Sequence, residues 1–292
     1  MPKLAVLDIG TNSIHMVLAE VQPDYTYKIL DRFKDMTRLG DGVFTSRRLS
    51  DQAMMRGLEV IRNLVTLARN KGYERIEGVA TSAVREARNG GEFLDHVAQQ
   101  TGLTVRVITG AEEARLIFLG VQNSVALPEP PTLVIDIGGG SVEVIVGNRE
   151  TIYQARSLKL GAIRLKDLYL TKTPPSKAML HELEEAVTSQ LKQALGTYKT
   201  KRVEQIIATS GMAGNLAEVI YLQRTGRPLQ QLNLTKISAK EIAAVEKRLA
   251  DATLKTRLAM PGLDPKRVDT LLPATMVFRI LLDLLRKDEL TI

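Results

Sequence analysis

Residues 132–147 read TLVIDIGGGSVEVIVG, and this stretch decides the fold that we predict. The apolar run at 133–135 is typical of a buried strand, and the alternation at 142–146 predicts a second strand. The glycine-rich turn between them has no side chain that would keep a phosphate away, so its backbone N–H groups can form an anion-binding nest. Asp136 lies at the mouth of the turn, where a carboxylate can hold a metal ion that binds phosphate oxygens.

A second copy of this pattern opens the chain. Residues 4–21 read LAVLDIGTNSIHMVLAEV and align with TLVIDIGGGSVEVIVGNR at 132–149, so that D-I-G-x-x-S occurs in both. The repeat predicts a duplicated domain whose two phosphate-binding turns face one cleft. Further strands predicted at 26–35 and 152–158 complete a three-strand opening in each half.

Three motifs in order give the chain a family resemblance. DIGTNS at 8–13, GAEEARLIFLG at 110–120 and DIGGGSVE at 136–143 together resemble the exopolyphosphatase/guanosine pentaphosphate phosphohydrolase family. The resemblance extends from Leu4 to the last residue and implies the fold of actin, sugar kinases and the Hsp70 ATPase domain. We therefore expect an α/β protein of two actin-like (ribonuclease H-like) lobes, each a mixed sheet opened by a three-strand meander, with an interlobe cleft.

The resemblance also implies roles for particular residues. Glu113, the second acid of the GAEEAR motif, is implied as the general base that activates water, and Arg85 as an arginine that binds phosphate and offsets charge in the transition state. The residues expected to bind phosphate are Gly10, Thr11, Asn12, Ser13, Gly138, Gly139, Gly140, Ser141, Ser210 and Gly211. Mg²⁺, or another divalent cation, is expected against Asp8, Asp136 or Glu143.

A proline-rich connector, serine caps and hydrophobic periodicity indicate the other expected elements. The stiff connector PEPP at 128–131 separates a predicted lobe 1–127 from a lobe 128–292. Ser50 and Ser176 are predicted N-caps of two helices. The elements expected from periodicity are helices at 50–71, 90–101, 176–198, 238–252 and 265–286, a strand at 203–208, and a helix from Asn215. Residues 289–292 resemble a strand just begun, so we expect a second lobe truncated at its last strand, without the family's helical domain.

Composition narrows the class of protein. The 292 residues contain no cysteine and three histidines, which excludes disulfides, thiolate catalysis and Cys-zinc sites. There is no signal-peptide pattern and no apolar run near the ~20 residues that span a bilayer, so we expect a cytoplasmic protein with no membrane partner. A net charge of +7 attracts polyanions, but 4% aromatic residues and no tryptophan disfavour nucleic acid as the partner.

The leading hypothesis is hydrolysis of the terminal phosphoanhydride of inorganic polyphosphate with release of orthophosphate. Guanosine pentaphosphate is the alternative substrate, and guanosine tetraphosphate is a related ligand. A non-catalytic sensor of these compounds and an ATP-dependent sugar or acid kinase are the competing hypotheses. A sensor has no need of a base such as Glu113, and a kinase needs an acceptor site that the sequence does not show. The family resemblance also implies a homodimer.

Overall fold

The computed structural model describes residues 2–24, 26–196 and 203–292. The chain divides into two compact units, Met1–Thr109 and Gly110–Ile292, which we call the first unit and the second unit. Within the described ranges, no helix is long and apolar enough to cross a membrane.

The first unit is a five-stranded mixed sheet with helices between its later strands. Its strands and helices in chain order are β1 Lys3–Ile9, β2 Ile14–Val21, β3 Tyr27–Asp35, α1 Val43–Ser46, α2 Asp51–Asn70, β4 Arg75–Ala80, α3 Ser82–Glu86, α4 Gly90–Thr101 and β5 Val105–Val107. The sheet order is β3-β2-β1-β4-β5. Strands β1 to β3 pair antiparallel as a meander, whereas β4 and β5 add in parallel.

The second unit repeats this plan on a larger scale. It comprises α5 Gly110–Ser124, β6 Thr132–Ile137, β7 Val142–Gly147, β8 Ile152–Leu158, α6 Ala162–Tyr169, α7 Lys177–Leu195, β9 Gln205–Thr209, α8 Ser210–Thr225, β10 Lys236–Ser238, α9 Ala239–Asp251, α10 Leu254–Leu258, α11 Leu271–Leu285 and β11 Glu289–Thr291. The order of its six-stranded sheet is β10-β11-β9-β6-β7-β8, and β6 to β8 form the second antiparallel meander. The predicted α/β fold, with two mixed sheets each opened by a three-strand meander, is confirmed.

Local sequence signals place several element ends correctly. Ser50 and Ser176 cap α2 and α7, because their side chains accept hydrogen bonds from the N–H groups of Ala53 and Met179. The expected helix 176–198 reaches Leu195 in α7, and its predicted end at Tyr198 lies outside the described residues.

Two predicted helices have different bounds in the structure. Helix α8 begins at Ser210 rather than Asn215, because the Ser210 hydroxyl accepts hydrogen bonds from the first free N–H groups of the helix, those of Met212 and Ala213. The predicted helix 265–286 is divided into a 3-10 turn at Pro265–Arg267 and α11. Pro273 lies in the first turn of α11, where an intrahelical N–H donor is not needed.

The chain's last residues form β11, which extends the second sheet. This strand pairs antiparallel with β10, a strand that was not predicted from the sequence, and parallel with β9. Leu290 in β11 is buried in the main core of the second unit.

Helix α5 belongs to the second unit. Its buried Ala114 and Phe118 cluster with Val134, Ile145 and Ile207 from the second sheet. The compact units therefore differ from the predicted lobes 1–127 and 128–292 in where they place this helix. As a consequence, Glu113 is carried by the same compact unit as the DIGGGS turn.

Candidate functional site

Four polar side chains form one row across the second sheet. Thr209, Asp136, Glu143 and Ser157 are successive register partners on β9, β6, β7 and β8. Because directly paired residues point to the same face of a sheet, all four side chains line one face. The Thr209 hydroxyl donates to Asp136 Oδ2, and the Ser157 hydroxyl donates to Glu143 Oε1 at 2.7 Å. The two carboxyl groups are therefore held between two hydroxyl donors.

Glu113 interacts electrostatically with this row through Glu143. Burial, followed by the charges of Glu113 and Asp136, raises the pKa of Glu143 well above its ordinary value, against hydrogen bonds from Ser157 and Ser141. Burial also raises the pKa of Asp136, although its bond from Thr209 acts in the opposite direction. Glu113, Asp136 and Glu143 thus form a group of interacting acids, two of them desolvated by burial, which we call the acidic cluster. Like charges in such a group repel, so a cation or a proton is needed to stabilise it.

Glu143→Gln is expected to stabilise the fold in a pH-dependent way, measured in buffer containing a metal chelator. A carboxyl group whose pKa is raised in the folded state supports folding at low pH, and this contribution is lost as the pH rises through the folded pKa. Urea unfolding should therefore give similar stabilities near pH 4, below the ordinary glutamate pKa of 4.5, and a more stable glutamine variant near pH 8. A difference that shrinks with rising pH would contradict the assigned direction of the pKa shift.

The carbonyl groups of the three glycines in the DIGGGS turn point towards the start of α6. The Gly138 carbonyl accepts from the Ala162 N–H at 2.9 Å, and the Gly139 carbonyl accepts from the N–H groups of Ile163 and Arg164 at 2.9 and 3.1 Å. The Gly140 carbonyl accepts from Arg164 Nε at 2.7 Å.

This anchoring turns the N–H groups of the turn in the opposite direction. In a planar trans peptide, the N–H of one residue points away from the carbonyl of the residue before it. The N–H groups of Gly139, Gly140 and Ser141 are therefore directed away from α6, and no residue in the described ranges accepts a hydrogen bond from them. Adjacent backbone donors of this kind can bind a phosphate oxygen. The turn thus presents three adjacent N–H donors, and phosphate binding by them stays a prediction.

The corresponding turn of the first unit has the same design. The carbonyl groups of Thr11 and Asn12 accept from the N–H groups of Gly40 and Arg38, both at 2.9 Å. The N–H groups of Asn12 and Ser13 are consequently turned the other way. The Thr11 hydroxyl is buried and accepts from the Ala83 N–H at 3.2 Å, so this side chain has a structural role.

The residue row beside this first turn has diverged from its counterpart. Val79, Asp8, His15 and Lys34 are the register partners on β4, β1, β2 and β3. A histidine and a lysine thus take the places of Glu143 and Ser157. The expected metal ligand Asp8 lies in this mixed row of the first unit, whereas Asp136 and Glu143 lie in the acidic row of the second unit.

The remaining predicted residues have defined local partners. Arg85 is half-buried, and its Nη1 donates to the Ile108 carbonyl at 2.8 Å. Ser210 and Gly211 lie in the first turn of α8, where a side chain on Gly211 would collide with the Arg267 guanidinium, 2.4 Å from its nearest nitrogen. These two residues therefore form a helix start packed under an arginine, and do not precede the helix, as a start at Asn215 implied.

Several residues of the site were missed by sequence reasoning. Thr209 and Ser157 can be found only by pairing β9 and β8 with their neighbours, and the register of the meander was a usable signal for Ser157. Gly161 packs so closely that a Cβ would lie 2.3–2.4 Å from backbone atoms of Gly140 and Ser141. No local sequence pattern indicates this close contact or the hydrogen bond from Arg164 to the Gly140 carbonyl.

The carboxylates of the acidic cluster suit a hard cation. Mg²⁺ commonly uses one or two protein carboxylates and takes its other ligands from water and phosphate. Asp136 and Glu143 are direct cross-strand partners and supply such a pair. Across the described residues, no group of three or more His, Cys, Asp or Glu side chains is arranged to hold a metal ion. A cation held here would therefore depend on oxygen ligands from water or substrate.

A glycine turn that presents N–H groups beside acidic side chains, on a sheet opened by a meander, is the geometry expected of an α/β protein that binds phosphate. The Ppx/GppA phosphatase family matches residues 12–292, and the chain belongs to this family. It is accordingly a hydrolase that acts on phosphate compounds.

Relatives of this family match along almost the whole chain. "Exopolyphosphatase 2" of Mycobacterium tuberculosis is 29% identical over 306 residues, covering 100% of this chain and 95% of the relative. The crystal structure of an exopolyphosphatase from Cytophaga hutchinsonii is 29% identical with a TM-score of 0.89, covering 99% of this chain and 93% of that chain. The Aquifex aeolicus Ppx/GppA family member is 25% identical with a TM-score of 0.80, covering 99% and 92%.

Proposed function

We propose that this protein is an exopolyphosphatase that removes orthophosphate from the end of inorganic polyphosphate. The observation that carries the proposal is the acidic cluster, in which Glu113 interacts with Glu143 within the unit that presents the N–H groups of the DIGGGS turn. Relatives named exopolyphosphatase, which match nearly the whole chain, support the same substrate class.

In this proposal, the DIGGGS turn holds a terminal phosphate. The N–H groups of Gly139, Gly140 and Ser141 donate to its oxygens, and their fixed direction means that little reorganisation is needed when charge builds up in the transition state. The Asn12 and Ser13 N–H groups of the first unit are a further candidate phosphate contact, supported by the local geometry of their own turn.

Glu113 acts as the general base. Its carboxylate removes a proton from a water molecule, whose oxygen attacks the terminal phosphorus. The bond between that phosphorus and the bridging oxygen breaks, and the bridging oxygen leaves with the electron pair on a chain shortened by one phosphate. The products are orthophosphate and the shortened chain, and the proton on Glu113 returns to solvent.

Asp136 and Glu143 are the residues that would hold Mg²⁺. The bound ion would neutralise phosphate charge, which is the main requirement of phosphoryl transfer. The hydroxyl groups of Thr209 and Ser157 orient these two carboxyl groups by donating one hydrogen bond to each.

Orthophosphate release should be compared between long-chain polyphosphate and guanosine pentaphosphate, each with and without Mg²⁺. We expect release from polyphosphate, without any nucleotide, and at least about tenfold slower release when the cation is chelated. A clear preference for guanosine pentaphosphate would favour the alternative hydrolase. Binding without release would favour a sensor, and transfer from ATP to a sugar or acid would favour a kinase.

A further inference from the structure

We propose that Arg164 is a positioning residue that sets the anion affinity of the DIGGGS turn without touching the substrate. This inference rests on the proposed function of the turn as a phosphate site. Arg164 lies in α6, is 6% exposed, and donates from Nε to the Gly140 carbonyl at 2.7 Å. A buried guanidinium pointed at a backbone carbonyl is expensive to desolvate, so its placement indicates a specific task.

That task follows from which donor, backbone or side chain, holds each carbonyl group of the turn. The carbonyl groups of Gly138 and Gly139 are held by backbone N–H groups of α6, which any sequence that forms this helix would supply. The Gly140 carbonyl is held by the side chain of Arg164. The orientation of the peptide between Gly140 and Ser141 therefore depends on this residue type, and so does the direction of the Ser141 N–H.

The bond also changes the strength of the donor. A charged donor makes a stronger hydrogen bond than a neutral one, and polarisation of the Gly140 carbonyl makes the N–H on the other side of the same peptide a better donor. The positive charge of Arg164 lies behind the turn, where it attracts an anion bound in front. Geometry and charge thus act in the same direction on one N–H group.

Close packing between the start of α6 and the turn links the position of Arg164 to the orientation of the Gly140–Ser141 peptide. Gly161, at the start of α6, leaves no space for a side chain against Gly140 and Ser141, since an added Cβ would lie 2.3–2.4 Å from their backbone atoms. The turn and the helix start therefore form one packed body. The Arg164 bond determines how the last peptide of the turn is oriented within it.

A second buried arginine in the same unit provides a matched control. Arg257 is 2% exposed, donates from Nε to the Leu249 carbonyl at 2.9 Å, and donates from Nη1 to the Val268 carbonyl at 3.3 Å. It joins α9 and α10 to the chain before α11, and its bonds do not involve the turn. Replacing it removes a comparable buried guanidinium without altering the Gly140–Ser141 peptide.

The test measures orthophosphate binding by isothermal titration calorimetry for the full chain and for Arg164→Met, Arg164→Lys and Arg257→Met. We expect Arg164→Met to weaken orthophosphate binding by about tenfold or more, because the variant loses both the anchor that directs the Ser141 N–H and the positive charge behind the turn. The lysine variant should recover part of the affinity, since it restores a charged donor. Arg257→Met should bind orthophosphate with a Kd within about twofold of that of the unchanged protein, even if its thermal unfolding midpoint falls as far as that of Arg164→Met.

Equal affinity in Arg164→Met and the unchanged protein would overturn the inference, as would equal weakening in Arg257→Met. If the methionine variant does not fold, the lysine variant must still show a higher Kd than the unchanged protein. Absence of orthophosphate binding by the unchanged protein would also overturn it. If that protein binds orthophosphate but releases none from polyphosphate, the proposed function fails, and the order of the Kd values still decides the role of Arg164.

Discussion

Glu113→Gln is expected to lower kcat for orthophosphate release from polyphosphate by about 10²–10⁴-fold, the usual contribution of a general base. Glutamine keeps the size and the hydrogen-bonding capacity of the side chain but cannot accept the proton of the attacking water. The measurement is a continuous orthophosphate assay at saturating polyphosphate with Mg²⁺ present. Circular dichroism should show an unchanged fold, because Glu113 lies in the first turn of α5 and outside the buried core.

The adjacent acid Glu112 supplies the control. Glu112 and Glu113 are both half-buried residues in the first turn of α5, but neighbouring positions on a helix face different directions. Glu113 is the one whose charge contributes to the raised pKa of Glu143. Glu112→Gln should therefore keep kcat within about twofold of the unchanged protein. Equal losses in the two variants would show that helix charge, and not a base, limits the reaction.

Gly161→Ala is expected to have the second large effect, on substrate affinity. The added methyl group would lie 2.3–2.4 Å from backbone atoms of Gly140 and Ser141, so the turn or α6 must move. Such overpacking costs about 1–3 kcal/mol of unfolding free energy. Displacement of the N–H groups should also raise KM for polyphosphate and the Kd for orthophosphate by at least about tenfold, since each good donor contributes more than 1 kcal/mol.

Gly120→Ala is the matched control for this substitution. Gly120 is exposed within α5, and an added Cβ there has no atom within 4 Å. Alanine should stabilise the fold by about 0.5–1 kcal/mol, because glycine loses more conformational freedom in a helix. The KM of Gly120→Ala for polyphosphate should equal that of the unchanged protein. An unchanged Kd for orthophosphate in Gly161→Ala would mean that the DIGGGS turn does not bind the anion.

Much of the fold could be predicted from short-range signals. The two D-I-G-x-x-S repeats gave the antiparallel pairing of β1 with β2 and of β6 with β7, and serine caps gave the starts of α2 and α7. These features depend on residues close together in the chain, so a local pattern contains them. The fold class followed because each hairpin is extended by a third strand, at β3 and β8.

The parts that could not be predicted depend on contacts between distant residues. Thr209 reaches Asp136 because β9 pairs in parallel with β6, and nothing near residue 209 in the sequence indicates that partner. The start of α8 was placed five residues late, because a Thr-Ser-Gly sequence resembles a loop until the bonds from the Met212 and Ala213 N–H groups to the Ser210 hydroxyl are known. The role of Arg164 depends on a carbonyl 24 residues earlier in the chain.

The central claim is that one acid does the chemistry while a separate glycine turn holds the phosphate. Equilibrium binding of long-chain polyphosphate to Glu113→Gln, with Mg²⁺ present, tests it most directly. The account predicts a Kd within about threefold of the KM of the unchanged protein, together with almost no orthophosphate release. A parallel loss of binding and turnover would contradict it, because Glu113 would then be needed to hold the substrate.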